Sequence, residues 1–538
     1  MCDKDRKITI TFMPDNIEAE ARSGELAADA AASAGVGIGR HCGGAGVCGK
    51  CRVMAGKDSP FAPLTKTEEN LLTPDDIKQG VRLSCCAKIV KSGTIHVVDR
   101  IKSAGNSILE GFSHDISEWA PDCDGYGVAV DIGTTTVVCY LLALAGHTVV
   151  DRVSFLNPQV AFGDDVISRI AYSSSQPEAL ERIQRTLTDE MDKNIGTMAE
   201  RNGISKEEIT EIMIAANTVM EHLFAGISPK SIGHSPYMPE FFLKPPFKAS
   251  AVGININEAG VVKMIPNVAG YVGADIVAGV AALDMDRQDK IRLLVDIGTN
   301  NEIVIGGSGG MFCCATAAGP ALEGARIQYG MRASVGAIEK VTLENGLLKC
   351  QTIGGEAPKG LCGSGLIDAI ALLLDEGIIN ESGRFEYPEK CRDEHFMARL
   401  GRSESGMVRL LLTDGEHPVY LTQKDIREVQ LAVGAVKVGV EVMLEHAGIT
   451  KDEIAEVCLA GAFGNNIDID SAARVGLIPD IERARIHGVK NTSGLGACLA
   501  LAAAEFYERT KETARKMSYV ELSSLPDFQK RFVKAMSF

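Results

Sequence analysis

The sequence predicts a multidomain chain in which a small, cysteine-rich α+β domain precedes a duplicated α/β body. Two observations predict the body. A strand–turn–strand unit occurs twice, at residues 128–140 (hairpin 1) and 293–306 (hairpin 2), and each copy opens a similar series of elements. One observation predicts the small domain, because three cysteines crowd a glycine-rich loop at residues 42–51. With 538 residues, the chain is long enough to bury several cores.

The amino-acid composition argues against several classes of function for this protein. The formal net charge is −16, and no run of Lys or Arg exceeds a pair, which argues against nucleic acid or an anionic membrane as a partner. The first residues, MCDKDRKITITF, hold no apolar signal core, and no apolar stretch reaches the roughly 18 residues of a membrane span. We therefore expect a cytoplasmic protein. Its 15 cysteines then predict reduced thiols or metal ligands rather than disulfides.

The N-terminal domain opens with a predicted strand at Lys7–Met13 and a predicted helix over 23–34, with Ser23 as N-cap. Cys42, Cys48 and Cys51 then share a loop whose glycines let backbone amides turn toward sulfur, as a buried iron–sulfur cluster requires. A fourth thiolate comes from the pair at residues 85 and 86, and the spacing alone leaves open which one. Zinc also accepts four thiolates, but zinc ribbons usually place them as two close pairs.

This cysteine spacing resembles the plant-type [2Fe–2S] ferredoxin family, in its adrenodoxin-like variant, over nearly all of residues 1–97. The resemblance implies a β-grasp fold and a cluster held by Cys42, Cys48, Cys51 and Cys85. Its Arg-Leu-x-Cys pattern favours Cys85, with Cys86 standing where the family more often has Gln. Residues 98–125 lose strand periodicity and predict a linker with one short helix.

Each hairpin of the body carries Asp-Ile-Gly-Thr between two β-branched runs. A glycine at this turn lets backbone N–H groups approach an anion, the threonine adds a hydroxyl donor, and the aspartate can hold Mg²⁺ through its water. Such turns also occur in ordinary hairpins. Two copies in one chain favour a phosphate site.

Further elements repeat after each hairpin. Ser205 with Glu208, and Thr450 with Glu453, predict capping boxes that run into a strand, and small-residue helices at 273–283 and 496–505 close the two series. The order resembles the actin, heat-shock ATPase and sugar-kinase superfamily, whose RNase H-like lobes hold ATP between them. Residues 459–464 resemble its adenosine loop. The resemblance implies Mg²⁺ at Asp131 and Asp296 and ATP contacts at Asp131, Gly133, Thr134, Thr135, Asp296, Gly298, Thr299, Asn300, Gly461 and Gly464.

Four more segments could border a cleft: residues 157–170, 318–325, 360–365 and 422–427. Each also fits an ordinary helix start, and both interpretations stay open. The sequence has neither a Walker lysine loop nor a strand–GxGxxG–helix unit. The nucleotide site therefore depends on the paired hairpins.

Taken in order, these motifs resemble one family, the reductive activators of corrinoid-dependent enzymes. The resemblance implies a ferredoxin domain at 1–97, a linker at 98–125, a middle domain at 126–286 and a C-terminal ATPase domain at 287–538. It also implies ATP-driven reduction of Co(II) to Co(I) on a corrinoid protein, which restores methyl transfer, and an upstream low-potential electron donor. The catalytic residues are not identified, and the oligomeric state, a homodimer included, is left open.

Two other functions fit parts of the sequence. A redox-regulated small-molecule kinase needs a base in the cleft, for which Asp164 or Asp165 could serve. A non-catalytic assembly factor that grips a partner with ATP would not need a cluster. The combination of a one-electron carrier with an ATPase cleft favours the reductase, because a plant-type cluster lies near roughly −400 mV and each ~59 mV of uphill transfer is a tenfold penalty.

Overall fold

The computed structural model describes residues 7–14, 16–34, 36, 38, 46, 49, 51–56, 59–97, 125–298, 300–324, 326–386, 394–415, 417–464 and 467–538. These residues form an N-terminal α+β domain and an α/β body built on two six-stranded sheets. Within the described ranges, no helix combines the length and apolarity needed to cross a bilayer. The helix predicted in the linker lies outside these ranges.

The N-terminal domain is a mixed five-stranded sheet in the order β2-β1-β5-β3-β4. Its elements are β1 (Lys7–Met13), β2 (Ile17–Arg22), α1 (Ala27–Ser33), β3 (Arg52–Ala55), α2 (Lys66–Leu71), α3 (Pro74–Lys78), β4 (Val81–Leu83) and β5 (Gly93–Val97). The central pair β1 and β5 is parallel, and helix α1 shares one buried core with the sheet. This is the predicted β-grasp arrangement. The first strand is confirmed, but the predicted helix begins at Ala27 because β2 runs to Arg22 and Gly24 turns the chain at φ 90°.

The first half of the body has the sheet order β10-β11-β9-β6-β7-β8. Its elements are β6 (Tyr126–Ile132), β7 (Thr136–Ala143), β8 (Thr148–Leu156), α4 (Val166–Ser173), α5 (Ala179–Arg201), β9 (Ile209–Ala216), α6 (Thr218–Phe224), β10 (Phe247–Lys248), β11 (Val261–Met264) and α7 (Ala274–Ala282). Strands β6 and β9 are buried almost throughout, because helices cover the sheet on both faces.

The second half repeats this plan in the order β22-β21-β12-β13-β14-β23. Its elements are β12 (Arg292–Ile297), β13 (Asn301–Gly307), β14 (Gly310–Thr316), β15 (Ala337–Glu344), β16 (Leu347–Thr352), β17 (Gly360–Leu361), α8 (Gly363–Asp375), α9 (Glu394–Arg399), β18 (Leu400–Arg402), β19 (Val408–Thr413), β20 (Val419–Thr422), α10 (Gln423–Ala447), β21 (Glu456–Ala460), α11 (Gly461–Gly464), α12 (Ile469–Arg474), β22 (Ile486–Gly488), α13 (Thr492–Ala502), α14 (Ala504–Lys516), β23 (Met517–Tyr519) and α15 (Phe528–Ala535). Strands β15 to β17 and β18 to β20 form two small additional sheets.

The two sheets confirm the predicted duplication. In each, a hairpin pair is antiparallel, and the strand that follows the capping box lies parallel to the first hairpin strand: β9 beside β6, and β21 beside β12. Both predicted capping boxes are present, although each starts a single 3₁₀ turn rather than an α-helix. The fold class predicted for the body is therefore confirmed.

Helices α7 and α13 lie together between the two sheets and share a core with both. They approach closely because their contact residues are small: a Cβ on Gly496 would lie 2.3 Å from the Ala278 carbonyl oxygen. The structure corrects the register of this part of the repeat. Helix α13 begins at Thr492, so Asn491 corresponds to Gly273 as the N-cap, where the sequence comparison had aligned Gly496.

Candidate functional site

The candidate cluster site is a pocket of sulfur atoms at one edge of the N-terminal domain. The Sγ atoms of Cys51 and Cys85 lie 3.2 Å apart, and both residues are buried. Cys86 Sγ is 3.6 Å from Cys85 Sγ, on a less buried residue. The predicted ligands Cys42 and Cys48 lie outside the described residues. The structure thus brings together the two described members of the predicted ligand set.

Glycines in the left-handed conformation lie close to these thiols. Gly46 and Gly49 have φ of 69° and 68°, a conformation that favours glycine. Ser84 is fully buried, and its side chain interacts with the Cys51 thiol. The hydrogen bond that Cys51 and Cys85 share lowers the pKa of the Cys51 thiol to about 6 and raises that of Cys85. Buried, convergent thiols beside a glycine loop fit an iron–sulfur cluster, which takes both cysteines as thiolates.

A buried ion pair holds the segment that carries Cys85. Arg82 donates from Nε to Glu68 Oε1 at 2.8 Å and from Nη2 to Glu68 Oε2 at 2.9 Å. The same carboxylate accepts the Leu83 N–H at 3.1 Å. Burial raises the pKa of Glu68, but the hydrogen bonds from Arg82 and the backbone outweigh it, and the pKa is lowered. Helix α2 thereby fixes the strand that leads into the fourth predicted ligand.

Hairpin 1 presents the first set of predicted nucleotide residues. Gly133 and Thr134 form the turn, in which the Gly133 N–H donates to the Thr136 carbonyl at 2.9 Å. The Thr134 hydroxyl accepts a hydrogen bond from Asn217 Nδ2 at 3.0 Å, which leaves its own proton to donate. Thr135 instead donates its hydroxyl to Glu323 Oε2 at 2.8 Å, across to the second half of the body. Of the two threonines, Thr134 is the one positioned to donate to a phosphate.

Asp131, at the end of β6, is held from the other half of the body. Its Oδ1 accepts from the Ser493 hydroxyl at 2.7 Å, and its Oδ2 accepts from Asn491 Nδ2 at 2.9 Å. Both donors lie at the N-terminus of α13. Burial raises the pKa of Asp131, and these two hydrogen bonds oppose that rise. Sequence reasoning missed both donors, since no local motif relates them to hairpin 1.

Hairpin 2 supplies the matching predicted residues. Its turn is closed by a hydrogen bond from the Gly298 N–H to Asn301 Oδ1 at 3.1 Å. Thr299 lies outside the described residues, and Asn300 follows it in the turn. Burial and the Asp131 charge raise the pKa of Asp296 to about 7. The two predicted Mg²⁺ aspartates therefore lie close enough to interact across the body.

Two further acids that sequence reasoning did not single out join this pair. Burial, with the charges of Asp296 and Asp131, raises the pKa of Asp275 in the first turn of α7. Burial and the charges of Asp275 and Asp296 likewise raise the pKa of Glu302, which pairs with Asp296 across hairpin 2. A Gly-Ala-Asp sequence at the start of an apolar helix was the available signal for Asp275. The acids share one region, although no three described His, Cys, Asp or Glu side chains form a preassembled metal site.

The predicted adenosine loop lies against hairpin 2. Gly461 has φ of 83°, and a Cβ there would lie 2.6 Å from both Asp296 Oδ1 and the Ile297 carbonyl oxygen. Only glycine therefore fits this close approach. Gly464 ends the same short helix, α11. The structure thus places the loop of residues 459–464 beside the turn of hairpin 2, where the second set of phosphate contacts is predicted.

The other candidate segments divide between packing and the cleft. Gly365 packs at the start of α8, where a Cβ would lie 2.3 Å from the Ile338 carbonyl oxygen, and Thr422 forms a capping box for α10. Asp165 accepts the Ser168 N–H as N-cap of α4, the ordinary helix-start role considered for it. Within residues 318–324, Glu323 accepts the Thr135 hydroxyl of hairpin 1. Within residues 157–170, Asn157 and Arg169 donate to the Gly133 and Thr134 carbonyls of the same hairpin.

The fold and site together define an iron–sulfur protein fused to an ATPase of the actin and sugar-kinase type. Family models match in the same order along the chain: the 2Fe-2S iron-sulfur cluster binding domain at residues 10–90, the RACo middle region at 126–288, and the C-terminal domain of RACo, the ASKHA domain, at 290–538. The chain belongs to the RACo family of reductive activators of corrinoid proteins.

Known relatives agree with this assignment. The chain is 37% identical over 418 residues to the corrinoid activation enzyme RamQ of Eubacterium limosum, covering 77% of this chain and 70% of that protein. It is 26% identical over 280 residues to the [Co(II) methylated amine-specific corrinoid protein] reductase of Methanosarcina barkeri, covering 47% and 46%. The solved structure of a reductive activator for corrinoid, iron-sulfur protein superposes with a TM-score of 0.71 at 32% identity, over 99% of this chain and 98% of that one.

Proposed function

We propose that the chain uses ATP to drive one-electron reduction of a corrinoid protein from Co(II) to Co(I), so that methyl transfer can resume. One observation carries the proposal. A buried thiol pair at a ferredoxin-type cluster site and a cleft with two phosphate hairpins occur in one chain of the RACo family. The family relationship supports this reductase rather than a small-molecule kinase or an assembly factor.

We propose Cys42, Cys48, Cys51 and Cys85 as the ligands of a [2Fe–2S] cluster, which would accept and donate one electron at a time when bound. The residues around the proposed cluster have different roles. Cys51 and Cys85 bind from a buried position, and the Arg82–Glu68 pair keeps the strand before Cys85 in place. The low polarity of this buried pocket limits access of water to the sulfurs.

For the nucleotide, we propose phosphate contacts from Gly133, Thr134, Thr135, Gly298, Thr299 and Asn300, adenosine contacts from Gly461 and Gly464, and Mg²⁺ at Asp131 and Asp296. Mg²⁺ usually binds proteins through one or two carboxylates together with water and the phosphates of its substrate. Burial raises the pKa values of the group of buried acids most, and their mutual repulsion adds to the rise. The group fits that preference for carboxylates, because a divalent cation would offset both effects.

Coupling requires that ATP and the corrinoid partner prefer different arrangements of the cleft. Near its turn, hairpin 1 contacts the second half of the body through Asp131, which accepts from Asn491 and Ser493, and through Thr135, which donates to Glu323. A nucleotide bound at this hairpin lies beside both contacts. Binding and hydrolysis would therefore change how the two halves are held together.

We also propose the division of the chain at residues 1–97, 98–125, 126–286 and 287–538, a cytoplasmic location, and a low-potential protein as electron donor. A homodimer is compatible with the proposal and is not required by it. The ranges of the three family models support the division.

The test is reduction of a Co(II) corrinoid protein by the anaerobically reconstituted, chemically reduced chain. We expect the visible band of Co(I) to appear with Mg-ATP and to be absent with a non-hydrolysable ATP analogue. Cys51→Ser should lose both the cluster absorbance and the Co(I) product. Failure of reconstituted wild-type protein to give ATP-dependent Co(I) would refute the proposal.

A further inference from the structure

The most unusual charge in the described part of the body is the guanidinium of Arg169, on helix α4. Arg169 is completely buried. Its three hydrogen bonds go to uncharged acceptors: the Gly163 carbonyl at 2.9 Å from Nε, Met220 Sδ at 3.2 Å from Nη1, and the Thr134 carbonyl at 2.5 Å from Nη2. Among the described residues, no carboxylate lies within ion-pairing distance of it.

Such a charge is costly to bury without a counter-ion. Burial lowers the pKa of Arg169 to about 10, so the side chain still carries its charge at neutral pH. The charges of Asp164, Asp165 and Glu323 favour the protonated form of Arg169, and the charge of Arg332 opposes it. A charge kept in this position is expected where an anion binds nearby.

The second observation is the orientation of the hairpin 1 backbone. Asn157, also completely buried, donates from Nδ2 to the Gly133 carbonyl at 2.8 Å. Arg169 holds the next carbonyl, that of Thr134. A trans peptide unit points its C=O and N–H in opposite directions. The N–H groups of Thr134 and Thr135 therefore both point away from Asn157 and Arg169.

These two N–H groups have no hydrogen-bond acceptor among the described residues. On the same turn, the Thr134 hydroxyl keeps a free proton, and the Thr135 side chain reaches Glu323 in the second half of the body. The N–H groups thus lie on the side of the turn opposite Asn157 and Arg169. Successive backbone N–H groups with a common direction form an anion-binding concavity.

We propose that Asn157 and Arg169 are positioning residues for the nucleotide: they turn the two peptide units of hairpin 1 so that the N–H groups of Thr134 and Thr135 bind a phosphate of ATP, and Arg169 adds the positive charge behind them. This inference rests on the proposed ATP site and gives residues 157–170 a task in it. In this proposal neither side chain contacts the phosphate. Both act through the backbone of hairpin 1 and take no direct part in ATP hydrolysis.

The test compares binding of Mg-ATP, Mg-ADP and adenosine by titration calorimetry in the full chain with its cluster reconstituted. Arg169→Gln, which removes the charge and the fork, should weaken Mg-ATP about 10- to 100-fold. Adenosine, which has no phosphate, should bind as it does to wild type. Arg169→Lys keeps the charge without the fork and should recover part of the loss.

Asn157→Asp replaces the donor with an acceptor at nearly constant shape and should reproduce the selective loss of phosphate binding. The matched control is Arg185→Gln on helix α5, where the arginine is exposed and pairs with Glu181. It should bind all three ligands like wild type. Equal weakening of adenosine and Mg-ATP in Arg169→Gln would show a purely structural role and overturn the inference, as would unchanged Mg-ATP binding.

A measurement on wild type covers the case in which the variants do not fold. Mg-ATP should slow amide hydrogen exchange in peptides that contain residues 133–136, and adenosine should not. Unchanged exchange in the presence of bound Mg-ATP would overturn the inference and leave the ATP site standing. Wild-type protein that binds no Mg-ATP would instead refute the proposed function.

Discussion

Replacing Glu68 by Gln should destabilise the N-terminal domain and its cluster. Glu68 is fully buried, and its carboxylate receives both arms of the Arg82 fork and the Leu83 N–H. Gln keeps the shape, but its amide nitrogen cannot accept from the guanidinium, which is left buried without a counter-ion. Breaking one partner of such a pair costs about 3–5 kcal/mol. With a urea m-value of about 1–3 kcal/mol/M, this corresponds to a midpoint lower by on the order of 1–5 M.

The assay is loss of the cluster's visible absorbance during anaerobic urea unfolding. Asp75→Asn provides the control, because Asp75 forms an exposed pair with Lys78 in the same domain, and it should stay within about 1 kcal/mol of wild type. Replacing both Glu68 and Arg82 by Met should destabilise less than the sum of the two single changes, since no unpaired charge remains. Equal urea midpoints for Glu68→Gln and wild type would refute the reasoning.

The same pair sets a pH dependence. Because the folded-state pKa of Glu68 is lowered, its stabilising contribution is complete above the ordinary pKa of about 4.3 and disappears as the pH falls through the folded value. The difference in unfolding free energy between wild type and Glu68→Gln should therefore shrink as the pH is lowered from about 6 to below about 4. A difference that stays constant across this range would assign the effect to packing.

Three other predictions, which use four substitutions, test separate parts of the structure. Cys85→Ser should abolish the [2Fe–2S] absorbance and electron paramagnetic resonance signal while Cys86→Ser retains both; the reverse result would make Cys86 the fourth ligand. Gly461→Ala places a methyl 2.6 Å from the Ile297 carbonyl oxygen at φ 83° and should weaken Mg-ATP at least about tenfold in calorimetry, whereas unchanged affinity would remove this loop from the site. Gly496→Val should lower the melting temperature of the body by several degrees, because even a Cβ would lie 2.3 Å from a carbonyl oxygen of α7; an unchanged value would contradict this packing.

Local chemistry made much of the fold predictable from sequence. The two hairpins follow from β-branched runs joined by a glycine turn, and the capping boxes at Ser205 and Thr450 depend only on residues three positions apart. The cysteine spacing brought Cys51 and Cys85 into one site because a β-grasp sheet places β3 beside β4. Each of these predictions used interactions within one element or between paired elements.

The rest depends on contacts between distant elements, which leave no local signal. Asn491 reaches Asp131 across 360 positions, and nothing near residue 491 indicates it. The sequence around Arg169 predicts the charged, solvated start of a helix. In the structure, however, Arg169 lies on the inner side of α4 and is buried. The small residues of α13 also permitted a shifted alignment of the repeat, because Gly and Ala give a helix little register information. Tertiary packing decided each of these cases.

The segment that supports hairpin 1 packs against an arginine of helix α5 that contacts the ferredoxin domain. Arg169 and Asn157 hold the phosphate turn from one side of residues 157–170, and Phe162 of the same segment lies 6.0 Å from the Arg182 guanidinium. Arg182 donates to the Asp29 carbonyl of helix α1 at 2.7 Å. Arg182 of helix α5 therefore links the segment behind the proposed nucleotide turn to the domain proposed to carry the cluster. ATP can shift the placement of that domain only to the extent that its affinity differs between the possible arrangements of these contacts. Changing the Arg182–Asp29 contact would therefore test whether ATP hydrolysis and electron transfer are coupled through it.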